Sequence, residues 1–248
     1  MTPVVLLPGI ATPAGATFAP LLGHLDAAVE AVPRDLEVYR GDQPPPGYSL
    51  EAEVDGLHRF ISERGYSRFH LYGHSMGGAI ALAYVAVHGE RVASLALNEP
   101  ATDFSEQDQA IVASQRLGEL PPEQRMATFV RQVVRPEVEI SLPPAPPSPE
   151  MAREMGKRPA GLVAAIPVLG AATVDRSRLA NYPGPVYYAY GTLSNARWEA
   201  MGARLAGLFS DCTVDRYEGL HHLNTSHKAE PARVADALRR LWARAGDL

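Results

Sequence analysis

The stretch Phe69-His-Leu-Tyr-Gly-His-Ser75-Met-Gly-Gly78 predicts a strand, a sharp turn and the start of a helix. The residues up to Tyr72 read as a buried strand, and the dozen residues that follow Gly78 are mostly small or apolar, as in a buried helix. The frame Gly73-x-Ser75-x-Gly77 places a serine in a strained turn, where the glycines let the two backbones approach closely. The pattern therefore predicts a nucleophilic serine. The alternative is a serine in an ordinary strand-to-helix turn.

Composition narrows the class of protein. A chain of 248 residues, 46% hydrophobic, fits one sizeable α/β domain. The net charge of -5 argues against nucleic acid and anionic membranes as partners. The single cysteine, Cys212, excludes an internal disulfide and a cysteine-based metal cluster. Without a secretory leader or an apolar run of ~18 residues, we expect a cytoplasmic protein whose partner is a small molecule.

Apolar strands alternate with helical segments along most of the chain. This alternation predicts an α/β fold with a mainly parallel central sheet flanked by helices. The predicted strands are Val4–Leu7, Leu36–Tyr39, Arg68–Tyr72, Val92–Leu97, Pro185–Tyr190 and Cys212–Tyr217.

The alternation is interrupted between residues 101 and 180. We expect residues 1–100 and 181–248 to form the core and residues 101–180 to form a helical cap insertion, the alternative being a mere linker. The predicted parts of the insertion are helices that start near Ser105 and Pro122, a stiff proline segment at Leu142–Pro149, and two helices near 150–156 and 162–169.

A serine hydroxyl needs a base, and the chain has eight histidines. His221, His222 and His227 follow the last predicted strand, at the sheet edge where Ser75 also emerges. We favour His222, because a tight Gly-x-x-His turn from Gly219 returns the ring over that edge. His221 and His227 remain alternatives. The side chain of His74 is expected to point away from the serine beside it.

The chain resembles the α/β-hydrolase superfamily over nearly its whole length. The resemblance rests on Gly73-His-Ser-Met-Gly77, the apolar strand followed by Pro8-Gly9, the insertion, and Glu218-Gly-Leu-His-His222 before a final helix. It implies an oxyanion hole built from the backbone N–H groups of Met76 and Ile10.

This chain departs from the usual pattern of the superfamily at the acid, the third member of the catalytic triad. Members with the usual arrangement carry it about three residues after the glycine that matches Gly191, where this chain has Ser194 and then Asn195. Some relatives, including many haloalkane dehalogenases, place it after the strand that follows the nucleophile helix, and Glu99 stands there. We therefore predict that Glu99 orients the histidine. The alternatives are Asn195 or Ser194 as the orienting group, or a structural Glu99 in a non-catalytic protein.

The implied reaction is hydrolysis of a small, largely apolar carboxylic ester through an acyl-enzyme, without a cofactor. Dehalogenases and epoxide hydrolases of this superfamily use an aspartate at the elbow, so Ser75 argues against both. Alternatives are hydrolysis of a thioester, a lactone or a C–C bond, or ligand binding without hydrolysis. A metal site formed by the three histidines after the last strand is disfavoured. Candidate pocket residues from the insertion are Met126, Phe129, Met155, Leu162 and Ile166.

Overall fold

The computed structural model describes residues 2–102, 120–140, 148–171 and 174–246. The strands are β1 Val4–Leu7, β2 Ala31–Pro33, β3 Phe69–His74, β4 Val92–Asn98, β5 Val186–Gly191 and β6 Cys212–Tyr217. The helices within the described ranges are α1 Ala14–Leu22, α2 Leu50–Glu63, α3 Met76–His88, α4 Pro122–Val133, α5 Pro149–Ala171, α6 Arg176–Ala180, α7 Arg197–Leu208, α8 Ser226–Ala229 and α9 Pro231–Arg244. None of the helices in these ranges is long and apolar enough to cross a membrane.

The strands form one parallel sheet in the order β2-β1-β3-β4-β5-β6. Strands β1, β3, β4 and β5 are buried along their full length, because helices cover both faces of the sheet. One apolar layer is packed by α2, α3 and α7, and the other by α1 and α9. The predicted fold, a parallel sheet flanked by helices, is confirmed.

The register of the sheet brings two chain turns together. Strands β3 and β4 are neighbours, with Gly73 opposite Leu97 and His74 opposite Asn98. The next residues, Ser75 and Glu99, therefore leave adjacent strands at the same carboxyl edge of the sheet. In open α/β sheets this edge is where ligands bind.

The predicted strand Leu36–Tyr39 is wrong. Residues Glu37–Tyr39 form a 3-10 turn, and the edge strand is β2, which lies earlier in the chain. The cause is the buried carboxylate of Glu53, which accepts the N–H groups of Glu37 and Val38 at 2.9 and 3.1 Å and so draws this segment out of the sheet. Pro33 is tolerated in β2 because an edge strand can leave one side unpaired.

Helices α4, α5 and α6 lie between β4 and β5, within the predicted insertion. The two helices expected near 150–156 and 162–169 are one continuous helix, α5, which contains Pro159 and Pro167. Packing of α5 against the 3-10 turn at Glu37–Tyr39 accounts for a helix that local propensity alone would have divided. The helix predicted near Ser105 and most of the proline segment lie outside the described residues. The division into core and cap stays a prediction.

Candidate active site

Ser75 occupies a strained turn between β3 and α3. Its backbone angles are φ 52° and ψ -118°, a conformation that a non-glycine residue adopts only when its surroundings impose it. A Cβ on Gly73 would lie 2.4 Å from the Gly77 carbonyl oxygen, and a Cβ on Gly77 would lie 2.3 Å from the Leu7 carbonyl oxygen. Both positions therefore require glycine, because strand, turn and helix backbones pack directly on one another.

His222 joins Ser75 to Glu99. Its Nε2 lies 3.0 Å from the Ser75 Oγ, and its Nδ1 lies 2.7 Å from the Glu99 Oε2. An ionised carboxylate can only accept, so Nδ1 carries the proton and Nε2 is free to accept from the serine hydroxyl. All three side chains are buried. The structure thus brings together Ser75, His222 and Glu99, the three residues that sequence reasoning singled out.

The second oxygen of Glu99 is held independently of the histidine. The Gly191 N–H donates to Oε1 at 2.7 Å, and the Ser194 hydroxyl donates to the same oxygen at 2.5 Å. The residue at the usual acid position therefore supports the carboxylate that stands in for it. Glu99 itself has a positive φ of 45°, a second strained position at this edge of the sheet.

The ring of Trp198 packs flat against the ring of His222, with centroids 5.3 Å apart and planes 6° apart. Trp198 is buried at the start of α7, so it fixes the plane in which the imidazole can lie. Sequence reasoning missed this residue, because nothing in a helical pattern distinguishes a tryptophan that packs in the core from one that packs on a histidine of the site.

Of the two expected oxyanion donors, Met76 directly follows Ser75 and Ile10 lines the same cavity as Ser75. Within the described residues, the backbone N–H groups of Ile10 and Met76 donate to no protein acceptor. The carbonyl oxygen of Ile10 accepts a 2.7 Å hydrogen bond from the hydroxyl of Tyr39. Burial raises the pKa of Tyr39, so this hydroxyl keeps the proton that it donates. Tyr39 therefore fixes the conformation of the loop that presents the Ile10 N–H.

Tyr39 in turn contacts helix α5. The guanidinium of Arg158 lies 3.7 Å from the centre of the Tyr39 ring and forms a two-pronged ion pair with Asp35, in which Nη1 and Oδ1 are 3.2 Å apart. Stacking and bidentate pairing together give this contact a defined geometry. The position of α5 and that of the Ile10 loop are thus linked through one tyrosine.

We expect Tyr39→Phe to lower kcat by roughly tenfold with little change in KM, because the buried Ile10 carbonyl would lose its hydrogen bond and the loop would lose its fixed geometry. Tyr182→Phe is the matched control. Tyr182 is also buried and its hydroxyl donates to a backbone carbonyl, that of Val92, at the opposite edge of the sheet. Equal losses of kcat in the two variants would contradict a role for Tyr39 in positioning the loop.

The two alternative histidines have other partners. The Nδ1 of His221 accepts the N–H groups of Leu223 and Asn224 within its own loop. His227 is fully buried and its ring contacts the hydroxyls of Tyr72 and Thr225 at 3.1 and 2.9 Å. No cluster of metal-binding side chains occurs in the part of the chain that the structure describes.

His74 does not follow the expected orientation away from the site. Its ring centre lies 5.0 Å from that of His222, and the residue lines the cavity in front of Ser75. Burial, reinforced by the neighbouring His222, lowers the pKa of His74 well below its ordinary value. A neutral imidazole is therefore the state to expect there.

A cavity of about 450 Å³ opens onto Ser75 and His222. Phe129, Met155 and Leu162 line it, together with the loop from Gly9 to Thr12. Ile166, which was predicted to line it, is not among the described residues that do, because the α5 residues at the cavity end at Leu162 and Ile166 lies about one helical turn beyond. The side chain of Met126 lies outside the described residues.

Comparison with known proteins gives a family match across most of the chain. The model of the alpha/beta hydrolase family matches residues 4–237. Comparison with curated proteins gives no match.

Solved structures with the same fold are only distantly related in sequence. MenH from S. aureus is 16% identical with a TM-score of 0.75, covering 99% of this chain and 94% of that one. A thermophilic esterase from Thermogutta terrifontis is 20% identical with a TM-score of 0.72, covering 99% and 90%. NosK from Streptomyces actuosus is 18% identical with a TM-score of 0.72, covering 99% of both chains. These structures share the fold of this chain, and the match of the family model to residues 4–237 shows that the chain belongs to the alpha/beta hydrolase family.

Proposed function

We propose that this protein is a serine hydrolase that cleaves a small, largely apolar carboxylic ester through an acyl-enzyme. The observation that carries the proposal is the continuous hydrogen-bond chain from Ser75 through His222 to Glu99, which opens into a cavity. The proposal is also supported by the family of the chain and by the presence of an esterase among the solved structures that share its fold. The cytoplasmic location and the small-molecule partner stay predictions.

In the proposed first step the Ser75 Oγ attacks the ester carbonyl while His222 Nε2 takes the hydroxyl proton. Glu99 stabilises the imidazolium that results, because its carboxylate already accepts from Nδ1. The N–H groups of Ile10 and Met76 bind the oxyanion, and each such donor is worth roughly 10²- to 10³-fold in kcat.

The tetrahedral intermediate collapses when His222 returns the proton to the leaving alcohol, which leaves the acyl group on Ser75. A water, deprotonated by the same nitrogen, then attacks the acyl carbonyl, and the second tetrahedral intermediate expels the Ser75 Oγ, which takes that proton back from His222 as the acid is released. One histidine thus acts as base and as acid in both halves of the reaction.

The test is labelling combined with a substrate screen. We expect a phosphonofluoridate to modify one residue, mapped to Ser75 by peptide mass analysis, and short acyl nitrophenyl esters to release nitrophenol. Turnover of thioesters or lactones, but not of simple esters, would favour the alternative that the protein is a thioester or lactone hydrolase. Absence of labelling would point to a ligand-binding protein instead.

A further inference from the structure

The described side chains that line the cavity include two cations and no carboxylate. The cations are Arg158 and Lys228, in a chain whose net charge is -5. Arg158 already has its ion pair with Asp35. Lys228 is half-buried, and no acidic group of the described residues lies within ion-pair distance of its ammonium. Among the described residues of the cavity wall, Lys228 is therefore the one cation without an ion-pair partner.

Lys228 is also unusual in the composition of the chain. Only two of its 23 basic residues are lysines, Lys157 and Lys228. Lys157 lies on α5 and pairs with Glu154 at 3.1 Å. Burial lowers the pKa of Lys228. The physical reason is that keeping a charged ammonium away from water without a partner costs free energy. A ligand that carried a negative charge would remove that cost.

A second polar group faces the same space. His74 lines the cavity together with Lys228. The backbone of His222 lies near the ring of His74, but no hydrogen bond of normal geometry reaches either ring nitrogen. A neutral imidazole keeps one N–H group. His74 can therefore donate a hydrogen bond to a bound anion without first becoming protonated.

We propose that Lys228 binds a carboxylate of the substrate, with His74 as a neutral donor beside it. The inference rests on the proposed hydrolase function and narrows it to esters with an apolar body and one anionic end. A single unpaired ammonium matches a single negative charge, which favours a carboxylate over a doubly charged phosphate. The apolar wall formed by Phe129, Met155 and Leu162 would contact the remainder of the acyl or alcohol chain.

The experiment compares two substrates that differ only in charge. One is the 4-nitrophenyl monoester of adipic acid, and the other is the corresponding ester with its free carboxylate replaced by a primary amide. We expect kcat/KM to be roughly 10- to 100-fold higher for the anionic ester, the range typical of a charged hydrogen bond.

Lys228→Met should remove this preference by lowering kcat/KM for the anionic ester alone, and Lys228→Arg should retain most of it. Lys157→Met is the matched control, because it changes the net charge equally and should leave both values within about twofold. The inference is overturned if the wild-type protein does not distinguish the two esters, or if Lys228→Met lowers both values equally.

Binding separates this inference from the proposed hydrolysis. Calorimetric titration of the Ser75→Ala variant with the two esters should show tighter binding of the anionic one, and adding Lys228→Met should abolish the difference. Preferential binding without any turnover by the wild-type protein would count against hydrolysis but not against the anion site. Turnover without preference would count against the anion site alone.

Discussion

Replacing Ser75 by alanine is expected to lower kcat for ester hydrolysis by roughly 10⁵- to 10⁶-fold, because the reaction loses its nucleophile while the oxyanion donors and the cavity remain. The measurement is nitrophenol release at saturating ester. Labelling by the phosphonofluoridate should disappear in the same variant. The fold should persist, since an alanine side chain is smaller than the serine that it replaces in the turn.

Ser62→Ala is the control for this substitution. Ser62 is exposed on α2, away from the carboxyl edge of the sheet. It should retain wild-type turnover and full labelling at Ser75. Residual activity of Ser75→Ala above about a tenth of the wild-type value would show that another group supplies the nucleophile.

Glu99→Gln is expected to lower kcat by roughly 10³- to 10⁴-fold, and the environment of Glu99 supplies the reason. The Gly191 N–H donates to the Oε1 position, so the amide oxygen of the glutamine must take that place. The amide NH2 then faces His222 and donates to Nδ1. This forces the proton onto Nε2, where the histidine can no longer accept from Ser75.

Ser194→Ala is the matched control, because it removes one donor from Glu99 and leaves Gly191 in place. We expect a loss of less than about tenfold, the effect of one hydrogen bond to a charged group that keeps another donor. The measurement is kcat of both variants by stopped-flow kinetics, and thermal unfolding verifies that each variant is folded. If Ser194→Ala had the larger effect, the acid would have to be reassigned to the usual position.

Much of the site could be predicted from local sequence, because the elbow constrains its own neighbours. The glycines around Ser75, the apolar strand before it and the small residues after it permit one sharp strand-to-helix turn. The choice of Glu99 followed from the resemblance to relatives that carry the acid after the strand that follows the nucleophile helix, and in the structure the end of that strand, β4, lies beside the end of β3. These inferences needed only periodicity and topology, together with the resemblance to the family.

Other features depended on contacts distant in sequence, and local patterns carry no signal for them. The hydrogen bonds that the Glu53 carboxylate accepts from the N–H groups of Glu37 and Val38 converted an apparent strand at Glu37–Tyr39 into a turn. The same turn then provides the Tyr39 hydroxyl for the Ile10 loop and a surface for helix α5. Sequence reasoning predicted neither contact, because 15 residues separate Val38 from Glu53 and 29 residues separate Tyr39 from Ile10.

The sequence by itself, with the family resemblance that it carries, determined the fold class and singled out Ser75, Glu99 and a group of three histidines as candidates, because each follows a strand at the carboxyl edge of the sheet. Only the tertiary structure decided which histidine reaches Ser75, what supports Glu99 and that Lys228 enters the cavity. Ring orientation and charge pairing depend on which side chains meet across the sheet edge. Those meetings are fixed by packing between distant segments, and Ser75 and His222 are 147 residues apart.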